Sequence, residues 1–164
     1  MNQKKNITVA FTGHRSYNGS ADERLGVLLE ELYGRGYRRF LTGMAWGFDL
    51  AAAEAVIRLK QSHDDVELIA IEPFAWFSSL FRGEDAERYA RVKAAASECI
   101  TAGHKGDRMD FIRRNDMLVE GSSVMVAWWS GTRHGGTAYT IGQARHAGEE
   151  IHNLYDQQYS LFEF

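Results

Sequence analysis

The spacing of apolar positions changes several times along the chain. Residues 7–12 (Ile7-Thr8-Val9-Ala10-Phe11-Thr12) form a β-rich run that ends at Gly13. Over 22–35 the period lengthens, with Leu25, Leu28, Leu29 and Leu32 at helical spacing. Gly34 and Gly36 supply the stop, since glycine tolerates the left-handed end of a helix. A short strand at 39–42 closes on Gly43, and an alanine-rich helix over 50–59 puts Leu50, Ala53 and Ile57 on one face. Residues 66–71 read as a third strand that Pro73 prevents from continuing. A charged helix follows at 84–97, a short strand at 99–101 and a helix at 109–120. Residues 124–128 are almost continuously apolar, as in a strand covered on both faces. A helix at 137–147, capped by Gly148, and a strand at 151–154 complete the alternation. The pattern predicts an α/β chain: a Rossmann-like, doubly wound, mostly parallel sheet of five to six strands, helices on both faces, and one domain over 1–164. Two aromatic segments, 73–83 and 155–164, read either as covers of the sheet edge or as a lid or subunit contact, which leaves homo-oligomerisation open.

Composition narrows the class. Of 164 residues, 45% are apolar, enough for one sizeable core and too many for a disordered chain. No apolar run approaches the roughly 18 residues that span a bilayer, and the polar start at 1–6 is unlike a signal peptide. The net charge of −3, with no long basic block, disfavours nucleic acid and acidic membranes as partners. The single cysteine, Cys99, cannot form an internal disulfide and reads as an inert core thiol, so a cytoplasmic protein is expected. The six histidines show no metal-ligand spacing, and no metal is expected. The Walker loop, the Gly-x-Gly-x-x-Gly dinucleotide fingerprint and the Gly-x-Ser-x-Gly elbow are all missing, which argues against the chemistry each supports.

Ligands of open parallel sheets bind beyond the carboxyl ends of the strands. Three such ends carry glycine loops here. The first is Thr12-Gly13-His14-Arg15 and the second is Thr42-Gly43-Met44-Ala45-Trp46-Gly47-Phe48-Asp49. The third runs from Gly131 to Gly135-Gly136-Thr137. Gly43 and Gly47 permit close backbone approach, and the helix that follows aims free N–H groups and its positive end at the same spot. Gly135, Gly136 and Thr137 open a second helix in the same way, so two helix N-termini are expected to converge on an anion such as phosphate. Arg15 is placed to pair with an oxyanion. His14 either donates to a phosphate or holds its loop. Trp46 either stacks on a base or packs on the sheet, and Asp49 either caps its helix or accepts from a ribose hydroxyl.

At these loops the sequence resembles the YpsA-like branch of the SLOG superfamily, the Rossmann-like group that includes the DprA and LOG proteins. The resemblance rests on the first two loops with Ala52, Ala53 and Glu54, on Arg114-Asn115-Asp116-Met117-Leu118-Val119, and on Gly135-Gly136-Thr137-Ala138-Tyr139-Thr140. It implies a nucleotide-type ligand in the crevice, ADP-ribose-like or a nucleoside phosphate, with Arg113 or Arg114 and Asn115 beside it, and no other cofactor. A sensor or regulatory protein is the first reading. LOG enzymes cleave the N-glycosidic bond of nucleotides, which is the second. Arg113 falls where their arginine lies, but Thr140 stands at their glutamate position and cannot serve as a carboxylate, so the catalytic residues stay unassigned. DprA-like binding of single-stranded DNA is the third, set against the acidic residues interleaved with the arginines of 82–114.

Overall fold

A computed structural model describes residues 2–156. The strands β1 (Thr8–Gly13), β2 (Arg39–Thr42), β3 (Glu67–Glu72), β4 (Glu98–Thr101), β5 (Val124–Trp128) and β6 (Glu150–Asn153) form one parallel sheet in the order β4-β3-β2-β1-β5-β6. Between and before them lie α1 (Asn2–Lys5), α2 (Asp22–Gly34), α3 (Phe48–Ser62), α4 (Gly83–Ala95), α5 (Arg108–Glu120) and α6 (Gly136–His146). The chain builds outward from β1 to β4, then returns to place β5 on the other side of β1. The strand order therefore reverses between β1 and β5, where such sheets open a crevice.

The two-residue period of the strands sorts the core into two layers. Val9, Phe11, Phe40, Leu68, Val124 and Val126 face α2, α3 and α4, whereas Ala10, Leu41, Ile69, Met125 and Ala127 face α5 and α6. The leucine stripe of α2 is wholly inside, and each such side chain contributes roughly 1.5–3 kcal/mol by leaving water.

Several expectations change in detail. The segment after Pro73 is not a lid. Phe74, Phe77 and Phe81 are buried around a short 3₁₀ turn, Phe77–Leu80, and the rings of Phe74 and Phe77 meet Phe111 edge-on at 5.6 and 5.7 Å. Only Trp76 and Leu80 of that segment stand out as large exposed apolar side chains. Of the aromatic C-terminal segment, Tyr155 packs on Trp128 at 4.7 Å, and 157–164 lie outside the described residues. Cys99 is exposed rather than in the core, because it sits on the edge strand β4. Its thiol donates to the buried Glu72 carboxylate at 3.3 Å, and partial desolvation beside that carboxylate pushes the thiol up to about 11.

Candidate functional site

At the reversal point a cavity of about 470 Å³ opens beyond the ends of the strands. Thr12, Gly13, His14, Arg15 and Ser16 form one wall, Ala45 and Asp49 the floor, Phe111, Arg114, Asn115 and Leu118 of α5 the second wall, and Gly136 and Thr137 of α6 the far end. Its volume falls within the range of small-molecule sites.

The first loop holds its shape through close packing. A methyl group on Gly13 would sit 2.5 Å from the Phe48 side chain, and one on Gly47 would sit 2.5 Å from the Arg15 carbonyl oxygen. Gly47 also has φ +83°, so the position excludes other residues twice over. These contacts bring the loop onto the start of α3, where the Phe48 amide donates to the His14 carbonyl at 3.2 Å.

The second loop departs from expectation. Its polar groups bond among themselves rather than opening toward a ligand. The Met44 amide donates to Thr42 Oγ1 at 3.3 Å, Thr42 Oγ1 donates to the Asp49 carbonyl at 3.1 Å, and the Ala45 amide donates to Asp49 Oδ2 at 3.3 Å. Asp49, in the first turn of α3, thus ties back the loop that precedes its own helix. Met44 is fully buried with φ 68°, a left-handed conformation that the surrounding bonds hold in place. Like α6, α3 has no side-chain cap, but its Phe48 and Leu50 amides donate to the His14 and Ala45 carbonyls at 3.2 Å each, so the more open of the two helix N-termini is that of α6.

At α6 the end is open. Gly135, with φ +101°, turns the chain into the helix, and no side chain caps it. The first amides of the helix have no acceptor within it. Gly136 is held to glycine neither by a special conformation nor by a close approach: a methyl group there would lie 3.5 Å from Asn115 Nδ2, an ordinary contact. Thr140, at the position where LOG enzymes carry glutamate, is buried and donates to the Gly136 carbonyl at 2.9 Å.

Arg114 dominates the electrostatics. It is only 6% exposed, and its guanidinium donates to the Gly43 carbonyl and, at 2.8 Å, to Asn115 Oδ1. Both acceptors are neutral, and among the described residues it makes no ion pair. Burial lowers its proton affinity, opposed by the field of Asp49. Because Asn115 Oδ1 faces Arg114, the Asn115 amide nitrogen is left to face Gly136. Asp49 is itself buried, and desolvation pushes its carboxyl up to about 6 against the pull of Arg114. Donors therefore crowd the α5–α6 end of the crevice, and one carboxyl stands on its floor.

Thr42, Gly43 and Met44 lie beneath the crevice rather than in it. Gly43 leaves just enough room for Asp49 and Arg114, since a methyl group there would be 2.9 Å from Asp49 Oδ2. Trp46 packs, with the Arg15 guanidinium 4.1 Å above its ring and Phe81 edge-on at 5.3 Å. Gly135 stands exposed at the mouth. Arg113 points the other way and donates to the Ala102 carbonyl at 3.1 Å, so Arg114 is the arginine brought to the site. Helical phase carried that signal: Phe111, Arg114, Asn115 and Leu118 share one face, three or four residues apart. Ser130, which binds the His14 ring, left no such signal in the sequence. No helix among the described residues is long and apolar enough to cross a membrane, and no cluster of three metal-ligating side chains occurs among them.

Comparison with known proteins agrees with this architecture. A UPF0398 protein of Halalkalibacterium halodurans is 26% identical over 126 residues, covering 76% of this chain and 65% of that protein. The SPbeta prophage-derived protein YoqJ of Bacillus subtilis is 27% identical over 126 residues, covering 70% of this chain and 74% of its own. Among solved structures, DNA processing protein A (DprA) of Streptococcus pneumoniae superposes with a TM-score of 0.64 at 16% identity, over 92% of this chain and 50% of that one. DprA from Helicobacter pylori, a structure described for its single-stranded DNA binding mode, gives 0.64 at 17% identity, over 90% of this chain and 64% of that one. This chain thus spans about half to two thirds of the DprA chains. The expectation that nucleic acid is a disfavoured partner is corrected by this finding, because a protein built on the same fold binds single-stranded DNA. A net charge near zero says little about a local groove. The profile of the YspA SLOG family matches residues 9–160, and the chain belongs to that family.

Proposed function

We propose that the crevice binds the phosphate of a small nucleotide-derived ligand, a nucleoside monophosphate or an ADP-ribose-like compound, and that the chain works as a sensor or regulatory module. The observation that supports this best is Arg114: a buried cation whose direct hydrogen bonds go to neutral acceptors, with the Asp49 carboxyl acting on it through its field and not in an ion pair, beside a helix N-terminus that no side chain caps. Burying a charge is costly unless it is paired, and an incoming phosphate would complete the pair. Its oxygens would accept from Arg114, from the Asn115 amide and from the first amides of α6, and the sugar hydroxyls would donate to Asp49. Titration calorimetry with AMP, ADP-ribose and inorganic phosphate tests the reading. Saturable one-to-one binding that weakens in Arg114→Met supports it, and no heat with any of the three counts against it.

Single-stranded nucleic acid is a second reading, favoured by the H. pylori relative of this fold and by Trp76, which is 47% exposed and lies against Gly106 beside Lys105. Retention of a labelled oligonucleotide that falls steeply with salt would support it. Displacement of that oligonucleotide by AMP would place both ligands in one crevice. For catalysis, release of free base from AMP is the decisive assay. Thr140 offers no carboxylate, and Asp49 is the carboxyl that faces the crevice among its lining residues.

A further inference from the structure

We propose that His14 is a positioning residue that acts as a neutral, Nδ1-protonated imidazole, bolting the β5–α6 loop to the first loop so that the α6 N-terminus faces Arg114. The proposal deepens the phosphate-site reading and rests on it.

The geometry leaves one proton arrangement. His14 Nε2 lies 2.9 Å from the Ser130 amide nitrogen and 3.0 Å from Ser130 Oγ. A backbone N–H can only donate, so Nε2 must accept, and the ring proton must sit on Nδ1. The main chain of the same residue reaches the other two loops. Its amide donates to the Trp128 carbonyl at 3.2 Å, and its carbonyl accepts from Phe48 at the start of α3. One residue therefore joins the ends of β1 and β5, the N-terminus of α3 and the loop that leads into α6. The ring is further fixed edge-on to Trp128, centroids 5.9 Å apart.

This arrangement fails when the imidazole is protonated. A hydrogen on Nε2 would point at the Ser130 N–H, so the amide bond between the loops would be lost and only Ser130 Oγ, 3.0 Å away, would be left to accept from the ring. The charged groups that share the crevice with His14 are Arg15, Arg114 and Asp49, while Ser130 and Trp128 on the β5 side and Phe48 on α3 carry no charge. Burial favours the neutral ring and shifts the imidazole below its usual value. Above that titration the loop is locked. Below it, the gain of a positive charge beside a phosphate is set against the loss of the Ser130 amide bond, which loosens the loop that carries the binding amides.

The test combines two readouts. Long-range ¹H–¹⁵N correlation spectra of the full chain at pH 7.5 should show His14 with a protonated Nδ1 and a bare Nε2. Amide hydrogen exchange at Ser130 should be protected in the wild type and accelerate as the ring is protonated. His14→Phe keeps the ring shape but offers no acceptor, and should lose Ser130 protection and raise the Kd for AMP by up to about 10-fold, the upper end of what one lost hydrogen bond is worth. His14→Gln restores an acceptor near the same point and should recover most of both, which a merely space-filling role would not. An Nε2-protonated or fully charged ring at pH 7.5, or equal Ser130 protection in His14→Phe, overturns the proposal. If the wild type binds neither AMP nor phosphate, the phosphate-site reading fails. The tautomer and the exchange data then still decide whether His14 locks the loop.

Discussion

Replacing Gly136 with aspartate separates folding from binding. A side chain at this position meets only Asn115 Nδ2, at 3.5 Å from the first carbon, so the backbone need not move. The new carboxylate lies in the first turn of α6, where it interacts favourably with the helix dipole by about 0.3–1 kcal/mol. Loss of a glycine from the unfolded chain adds roughly 0.4–1 kcal/mol more. Gly136→Asp should therefore melt at the wild-type temperature or above it. Binding should move the opposite way. The carboxylate takes up the amides that a phosphate would use and stands about 5 Å from it. At an effective dielectric of about 20, that costs roughly 3 kcal/mol per pair of unit charges, on the order of 100-fold in affinity. Thermal melts and calorimetry with AMP on the same preparations give both numbers. A variant that folds normally and still binds AMP within a few-fold of wild type would refute the placement of the anion at α6.

Other consequences can be checked independently. Arg114→Met should weaken AMP binding by at least about 10-fold, through loss of charge-assisted hydrogen bonds, and should drive the Asp49 carboxyl above about 6, visible in ¹³C titration by NMR. Asp49 binds its proton more tightly in the folded chain than in the unfolded one, so the wild type should lose stability as pH rises from about 4 to about 6 and stay lower above that. Asp49→Asn, which keeps an acceptor for the Ala45 amide, should remove that slope, a difference on the order of 3 kcal/mol in denaturant titrations at pH 8. Although exposed, the Cys99 thiol is held up to about 11, so iodoacetamide at pH 8 should alkylate it about 100-fold more slowly than a free cysteine. Alkylation at the free-thiol rate would show that the Glu72 contact does not hold.

The sheet was legible because strand and helix periods differ, and each strand of the pattern is found within a residue or two of its place. The crevice was legible at its first and third loops, where glycine follows a strand and, in the third, no side chain caps the amides that open α6. The second loop misled for a physical reason. Thr42 and Asp49 supply acceptors for its own amides, and a carboxylate in the first turn of a helix often serves that helix or the loop before it. Arg113 and Arg114 are adjacent in sequence but about 100° apart around α5, so only the phase set by Phe111 and Leu118 distinguishes them. Cys99 reads as a core thiol although Ser97, Glu98 and Thr101 flank it, and nothing local reveals that β4 is an edge strand. The bond between His14 and Ser130 spans 116 positions and depends on the strand order reversing between β1 and β5.

A crystal structure of the full chain grown with AMP bears most directly on whether loops from separate strands gather around one anion. The expected result is phosphate density within hydrogen-bond distance of the Gly136 and Thr137 amides and of the Arg114 guanidinium, with the ribose toward Asp49. Phosphate bound elsewhere, with Arg114 still turned only to Gly43 and Asn115, would contradict it.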